Sequence, residues 1–437
     1  MSYFGTDGVR GKAGVFPLIP ETLTQLGRAI GKKSKGPVVI GRDTRESGEW
    51  FLHALSAGIM SEGSDVWDLG ICPTPTVARI TAKNNKGLGL VISASHNLAA
   101  DNGIKVLQSN GRKATKAMEN YFEKSLVNNS VAQSVKHASH FLNRHDLVDG
   151  YLEDVLKLFK KLDLRGLHIA VDTAHGAATD LAPQVLLECG ATIVQVGGSP
   201  NGKNINYRCG SMHMSALKNK IKQHNCDIGF AFDGDADRCL GITSEGVVLD
   251  GDSLLAILSH KYTKKKKTLV GTVMTNQGLE DFLNTKKIKL HRTSVGDKYV
   301  VEKMRRIGSA LGGENSGHII VAKHGFVGDG ILTMLAVLDV LSVYNFDTEK
   351  ALGDYCKYPQ VLINILVKKK KPFESNPAIK KAIMKTEDQL KGQGRLLLRY
   401  SGTENLARVM VEAKSQHLAR TSASELATII KKHLGKK

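Results

Sequence analysis

Cysteine is scarce in this chain: six copies among 437 residues form neither a Cys-x-x-Cys pair nor a close cluster. That excludes a zinc ribbon and a disulfide frame, and it fits reduced thiols in a cytoplasmic protein. Aromatic residues make up only 5% of the chain, so stacking platforms for nucleic-acid bases are lacking. Nowhere do about 18 apolar residues follow one another, which leaves no candidate membrane span. The opening Met-Ser-Tyr-Phe-Gly-Thr-Asp-Gly lacks the basic stretch and apolar core of a secretory signal. Proline is rare against glycine, 10 to 44, and the glycines follow no fixed period, which excludes a collagen-like chain and points to many tight turns.

Positive charge is what the chain has in excess. Lys and Arg number 61 against 42 Asp and Glu, a net +19. Such a surface attracts anions, either phosphorylated metabolites or nucleic acid. The densest runs are lysines 264–267 and 368–371, with Lys431, Lys432, Lys436 and Lys437 near the end. None is interleaved with aromatics, so they read as solvated surface, and no nucleic-acid partner is expected.

Apolar spacing alternates between strand and helix. Residues 37–41, 64–70 and 88–93 are strand-like, while 46–62 and 74–84 have helical spacing. The alternation restarts with strands at 167–172, 192–196 and 227–232 and helices at 179–188 and 215–224. It restarts again with helices at 253–263, 279–285, 298–306 and 330–341 and strands at 268–274 and 290–293. This βαβ pattern implies α/β units with mainly parallel sheets covered by helices. The end of the chain differs, with strands at 361–367, 395–400 and 408–413 and helices at 377–390 and 416–433, a small α+β unit. Expected boundaries are 1–150, 151–252, 253–358 and 359–437, and the polar stretch 128–143 reads as a loop.

Ligands in open α/β sheets bind beyond the carboxyl ends of strands, and four polar constellations fall at such places. Ser93-Ala94-Ser95-His96-Asn97 can present a serine hydroxyl to a cleft; with no G-x-S-x-G elbow it is not a hydrolase nucleophile, and the alternative is a plain Ser/Asn turn. Asp233-Gly234-Asp235-Ala236-Asp237-Arg238 places three carboxylates at alternate positions directly after an apolar strand. They can converge on one hard cation with positions left open for a phosphate oxygen, which suits Mg²⁺, whereas a surface turn would crowd like charges without compensation. Gly312-Gly313-Glu314-Asn315-Ser316-Gly317-His318 offers Glu314 and Ser316 to sugar hydroxyls and a titratable His318, or else a hairpin with a structural histidine. Arg399-Tyr400-Ser401-Gly402-Thr403-Glu404-Asn405, with Arg408 beyond, has the hydroxyls, open amides and guanidinium of a phosphate cradle, or is an ordinary polar turn.

Together with Phe4-Gly5-Thr6-Asp7-Gly8-Val9-Arg10-Gly11, Gly41-Arg42-Asp43, Asn102-Gly103-Ile104-Lys105, Asn204-Ile205-Asn206, Cys209-Gly210-Ser211 and Gly328-Asp329-Gly330, these motifs resemble the α-D-phosphohexomutase family over the whole chain. The resemblance implies four domains around a central cleft, three similar α/β domains and a C-terminal α+β domain. It implies that Ser95 is the phosphorylated serine and that Asp233, Asp235 and Asp237, with the phosphate on Ser95, hold one Mg²⁺ per subunit. Arg10 and Lys105 would lie beside the phosphoserine, and Lys105 and His318 would be proton-transfer candidates. Arg238, Glu314 and Ser316 would contact the sugar phosphate; Arg399, Ser401, Gly402, Thr403 and Arg408 would hold the phosphate that is not reacting.

The implied reaction is a phosphomutation of glucosamine 6-phosphate to glucosamine 1-phosphate through a bound glucosamine 1,6-bisphosphate, a step toward UDP-N-acetylglucosamine and cell-wall precursors. The sugar choice leans on Asp7 and on Glu314-Asn315-Ser316; mannose or glucose phosphates on the same scaffold are the alternative. An activating kinase or autophosphorylation would charge Ser95, and the partner classes are a small phosphosugar and a second copy in a homodimer, with no membrane. Rival classes are a non-catalytic anion binder, which leaves the Asp cluster unexplained, and a metal-dependent phosphatase. Three positions depart from the family pattern: Leu98, Tyr400 and Asn405 stand where proline is common, which bears on loop rigidity because proline presets φ.

Overall fold

Runs of β-branched and aliphatic residues such as Val38-Val39-Ile40 and Ile228-Gly-Phe-Ala-Phe build strands buried on both faces, and they form the centres of four separate sheets. The structure is a computed structural model that describes residues 3–5, 7–126, 139–401 and 404–436. From one edge to the other, the first sheet runs Phe4–Gly5, Gly8–Lys12, Asp101–Leu107, Gly89–Ile92, Val38–Arg42, Val66–Ile71 and Phe141–Asn143. The second runs Val248–Leu249, Cys239–Thr243, Ile228–Phe232, His168–Asp172 and Thr192–Val196; the third runs Lys289–Thr293, Thr268–Thr272, Leu311–Gly313 and Ile319–Val321. In each of these three, the parallel pairs lie toward one side and antiparallel strands are added on the other. The fourth sheet, Gln360–Leu366, Leu406–Ala413 and Gly394–Tyr400, is wholly antiparallel and carries the helices Pro377–Leu390 and Gln416–Leu434. The expected α/β class with a C-terminal α+β unit is the observed one.

The second and third sheets share one continuous core. Leu152, Phe230, Leu255, Leu311 and Leu335 all belong to it, and the apolar helix Gly330–Leu341 packs on the helix Gly251–Tyr262. The first unit has separate cores on the two faces of its sheet, and the fourth has its own. The second and third units thus form one cored centre, and the first and fourth units pack around cores of their own.

Several helices have the bounds their spacing predicts, among them Thr74–Asn84, Ser215–His224, Gly330–Leu341 and Pro377–Leu390. Part of the stretch expected to be a loop is structured: Phe141–Asn143 is a short strand of three exposed residues, paired in parallel with residues of Val66–Ile71. Three exposed residues carry no alternation to reveal it; only the waiting edge of the sheet does. Residues 128–138 of that stretch lie outside the described ones.

Candidate active site

Ser95 follows the strand Gly89–Ile92 at a sharp turn where its own φ is +53°, a left-handed conformation that costs a non-glycine residue on the order of 1 kcal/mol. The turn is tied down from behind. Arg45, wholly buried, uses Nε on Asp43 and its two amino groups on the carbonyls of Ser95, Asn97, Leu98 and Asp101 at 2.5–3.2 Å. Asn206, from the second unit, donates to the carbonyls of Ser95 and Asn97 at 2.8 and 2.9 Å. Leu98 itself is exposed, and its carbonyl takes one of the Arg45 bonds, so this anchoring does the stiffening that proline would supply. With its backbone so held, Ser95 donates its hydroxyl to Asp233 Oδ2 at 2.6 Å.

Asp233, Asp235 and Asp237 are all buried on the turn after the strand Ile228–Phe232, and each offers an oxygen within 4.8 Å of the others. Burial, then Asp237 and Asp235, push Asp233 up to about 7. Among the described residues, Asp235 Oδ1 is buried with no hydrogen-bond donor, and Asp237 Oδ1 has only His318 Nδ1 at 3.5 Å and Arg238 Nε at 4.0 Å. Three crowded carboxylates with unused oxygens and no nitrogen or sulfur ligand form a donor set that fits a hard divalent cation. Lys105 approaches from the strand Asp101–Leu107 and places Nζ 2.6 Å from Asp235 and 2.9 Å from Asp237. Thr74, at the first turn of the helix Thr74–Asn84, donates its hydroxyl to Asp235.

The third constellation is indeed a hairpin, with Leu311–Gly313 antiparallel to Ile319–Val321, and its turn faces the Asp cluster. His318 is buried between two carboxylates: Nδ1 is 3.5 Å from Asp237 and Nε2 is 3.3 Å from Asp297. Burial alone would lower its pKa, but Asp237 and Asp297 outweigh this and push it up to about 10. Lys105 likewise is lowered by burial and held well above its ordinary range by Asp235, Asp237 and Asp7. Asp297 continues to Lys113 at 2.7 Å, Lys113 pairs with Asp7, and Asp7 returns to Lys105 at 3.1 Å. Asp7, Lys105, Asp237, His318, Asp297 and Lys113 thus close a ring of alternating charge drawn from three units. Arg10 is paired with Asp7.

Beside the ring lies a cavity of about 410 Å³, walled by Arg10, His96, Asp237, Arg238, Glu314 and His318. Arg238 keeps its guanidinium 3.9–4.0 Å from Asp233 and Asp237, and Glu314 accepts from the Gly296 amide at 2.9 Å. Ser316 is half-buried on the hairpin turn and is not among the residues lining this cavity.

The fourth constellation stands apart. Arg399 faces Arg408 across the strand pair, and Arg408 reaches Glu404 at 3.7 Å. Ser401 is buried, and its carbonyl accepts from Lys370 Nζ at 2.7 Å. Gly402 and Thr403 lie outside the described residues. Among the described residues, Arg399, Ser401 and Arg408 make no hydrogen bond or ion pair with the other three loops. Tyr400 is fixed without proline, stacked on Phe373 at 4.3 Å with its hydroxyl on the Lys371 carbonyl. Lysines 264–267 and 368–371 are all exposed, as their composition suggests.

Lys113, Asp297, Thr74, Arg45 and Asn206 support this arrangement without having been assigned a role by the sequence motifs, and Asp7, on which the expected sugar choice leans, is here a member of the charged ring. Asp7 and Asn206 lie inside quoted motifs; Lys113 and Asp297 are lone charges whose meeting depends on the third unit docking on the first.

Comparison with known proteins agrees along the whole chain. Models of the phosphoglucomutase/phosphomannomutase domains match in order: alpha/beta/alpha domain I over residues 1–132, domain II over 149–246, domain III over 250–360 and the C-terminal domain over 362–429. Proteins named phosphoglucosamine mutase from Lawsonia intracellularis and Rhizobium meliloti are 40% and 41% identical over 444 and 442 residues, covering 99% and 98% of this chain and 98% of each relative. Among solved structures, a phosphoglucomutase/phosphomannomutase family protein from Burkholderia thailandensis superposes with a TM-score of 0.81 at 23% identity, covering 99% of this chain and 97% of that one. N-acetylphosphoglucosamine mutase from Aspergillus fumigatus, solved with GlcNAc-6P and magnesium, superposes with a TM-score of 0.69 at 18% identity, covering 98% and 95%. With all four domain types matched in order around a serine set on three carboxylates, this chain belongs to the phosphoglucomutase/phosphomannomutase family.

Proposed function

We infer that this chain interconverts glucosamine 6-phosphate and glucosamine 1-phosphate, with Ser95 carrying the phosphoryl group and glucosamine 1,6-bisphosphate as the bound intermediate. The observation that carries this reading is the Ser95 hydroxyl, held in a left-handed turn and hydrogen-bonded to one of three clustered carboxylates. The full-length relatives named phosphoglucosamine mutase support the amino sugar as substrate.

Asp233, Asp235 and Asp237 would hold the metal, for which magnesium is the proposal, and the cation would neutralise charge on the oxygens of the transferring phosphoryl group. Phospho-Ser95 loses its Oγ–P bond as sugar O1 gains one, and the O1 proton passes to a base. Lys105 and His318 are the two candidates for that base. Both keep their proton in this arrangement, Lys105 facing Asp235, Asp237 and Asp7 and His318 facing Asp237 and Asp297, and engagement of Asp235 and Asp237 as ligands would weaken that hold. Arg10, Lys105 and Arg238 surround the phosphoryl oxygens with positive charge, which is where most of the catalysis of such transfers originates. The bisphosphate then turns so that its 6-phosphate faces Ser95 and is taken back. Glu314 and Ser316 orient the sugar through its hydroxyls.

Arg399, Ser401, Gly402, Thr403 and Arg408 hold the distal phosphate in either orientation, which requires the fourth unit to close on the other three. The first phosphoryl group on Ser95 comes from an activating kinase or from autophosphorylation. The test is a coupled assay for glucosamine 1-phosphate starting from glucosamine 6-phosphate, Mg²⁺ and a trace of 1,6-bisphosphate, run beside mannose 6-phosphate and glucose 6-phosphate. A higher kcat/KM for the amino sugar supports the reading. A preference for either neutral sugar, or release of inorganic phosphate without a 1-phosphate product, refutes it.

A further inference from the structure

A second cavity, of about 370 Å³, lies between the first and third units, away from Ser95 and the Asp cluster. Its walls are largely apolar: Ala78 and Ala82 on the helix Thr74–Asn84, Ile319 and Val321 on the hairpin strand, and Val327 and Leu332. Two guanidiniums converge at it. Arg112 comes from the turn after the strand Asp101–Leu107, and Arg305 from the last turn of the helix Asp297–Ile307. Neither side chain has a hydrogen bond or an ion pair among the described residues; the bond from Arg112 to Asn110 Oδ1, in its own turn, is made by the backbone amide. Their mutual repulsion, after burial, draws the Arg112 pKa below its ordinary value. The other charged groups on the wall are already satisfied or neutral. Arg79 pairs with Asp154 at 3.4 Å, and the Asp329 carboxylate accepts from Tyr151 and from the Leu332 amide. His324, also on the wall, buries Nδ1 without a partner.

A largely apolar cleft of this size, at a domain interface, with a few convergent polar groups, has the anatomy of a small-molecule site. Two unpartnered cations facing one another there are stabilised by one shared anionic group. We propose that this cavity binds a small amphipathic anion, with its phosphate or carboxylate between Arg112 and Arg305 and its apolar body against Ala78, Ala82 and Val327. The site is independent of the reaction assigned above. Its walls nonetheless adjoin the charged ring, since Arg112 precedes Lys113 and Ile319 follows His318 in sequence.

The probes are 1-naphthyl phosphate and 1-naphthoate, titrated calorimetrically into the full chain; comparing the two identifies the preferred head group. Because a phosphate can also enter the catalytic cleft, three variants accompany the wild type. Arg112→Gln with Arg305→Gln removes both cations from exposed or half-buried positions, Ala82→Leu fills the apolar wall, and Arg399→Ala removes a cation only from the fourth unit. At least one probe is expected to bind the wild type and the Arg399 variant alike, and to bind the double variant about tenfold or more weakly. The double variant should keep the wild-type melting temperature, and Ala82→Leu should weaken binding independently of charge. Failure of both probes to bind the wild type, or equal affinity in the wild type and the double variant, overturns the proposal.

Discussion

Ser95 and Asp233 lie 138 residues apart and on different units, yet the serine hydroxyl rests 2.6 Å from the carboxylate. That contact is possible because the two turns approach with almost no space between their backbones. A Cβ on Gly234 would stand 2.6 Å from the Ser95 carbonyl oxygen, well inside van der Waals contact.

Gly234→Ala should therefore push the serine turn off the Asp turn. The expected loss is about a hundredfold or more in kcat/KM, since misplacement by about an ångström has that effect on a reacting group. Near-normal circular dichroism should accompany it. Kinetics together with a thermal melt check this, and an alanine variant of wild-type activity would mean that the two loops need not touch.

Arg45 offers five N–H groups and the structure uses all of its nitrogens on Asp43 and four carbonyls. Arg45→Met should leave Asp43 as an unpaired buried charge, destabilising the protein by about 3–5 kcal/mol. Adding Asp43→Asn should recover part of that loss. Denaturant melts of the single and double variants measure both effects.

Asp329 caps the helix Gly330–Leu341 and accepts the Tyr151 hydroxyl, and burial pushes it up to about 6. A carboxyl raised in the folded state binds its proton more tightly there than when unfolded. Its contribution is therefore fully present below about pH 4 and is lost as pH rises to about 6, by roughly 3 kcal/mol. Asp329→Asn has no such loss and should gain on the wild type across that window. Melting temperatures of the two proteins, compared at several pH values, test the sign, and a constant difference would contradict it.

Arg399 faces Arg408 with no carboxylate of its own among the described residues, as expected of a group kept for an anion. Arg399→Ala should lower kcat/KM for glucosamine 6-phosphate about tenfold to a hundredfold through loss of one charge-assisted contact. Because remote binding energy also orients the reacting end, kcat should fall as KM rises. Unchanged kcat/KM would remove the fourth loop from the mechanism.

Local chemistry made the first layer of the site legible. Asp233, Asp235 and Asp237 stand out because three alternate carboxylates after a buried strand crowd like charge that a cation relieves, whereas the serine turn reads equally as a plain Ser/Asn turn and Ser95 is singled out only by the family resemblance. The long, strongly periodic helices are equally plain. The ring around them is not. Asp7 and Lys113 are single charges far apart in the first unit's sequence, and Asp297 joins them only when the third unit docks on the first. Arg45 sits two residues beyond Gly41-Arg42-Asp43 and looks like a surface charge until the Ser95 turn closes over it. The strand Phe141–Asn143 stayed hidden for the opposite reason: with all three residues exposed, its sequence has no inside to mark.

The central claim, that the phosphoryl group passes through Ser95, is tested most directly by the turnover of Ser95→Ala with Mg²⁺ and glucosamine 1,6-bisphosphate supplied. The hydroxyl is a small side-chain group on an independently anchored turn, so the variant should fold with an unaltered melting profile. Formation of glucosamine 1-phosphate should fall to background. Turnover near the wild-type rate in a folded Ser95→Ala protein would contradict the account.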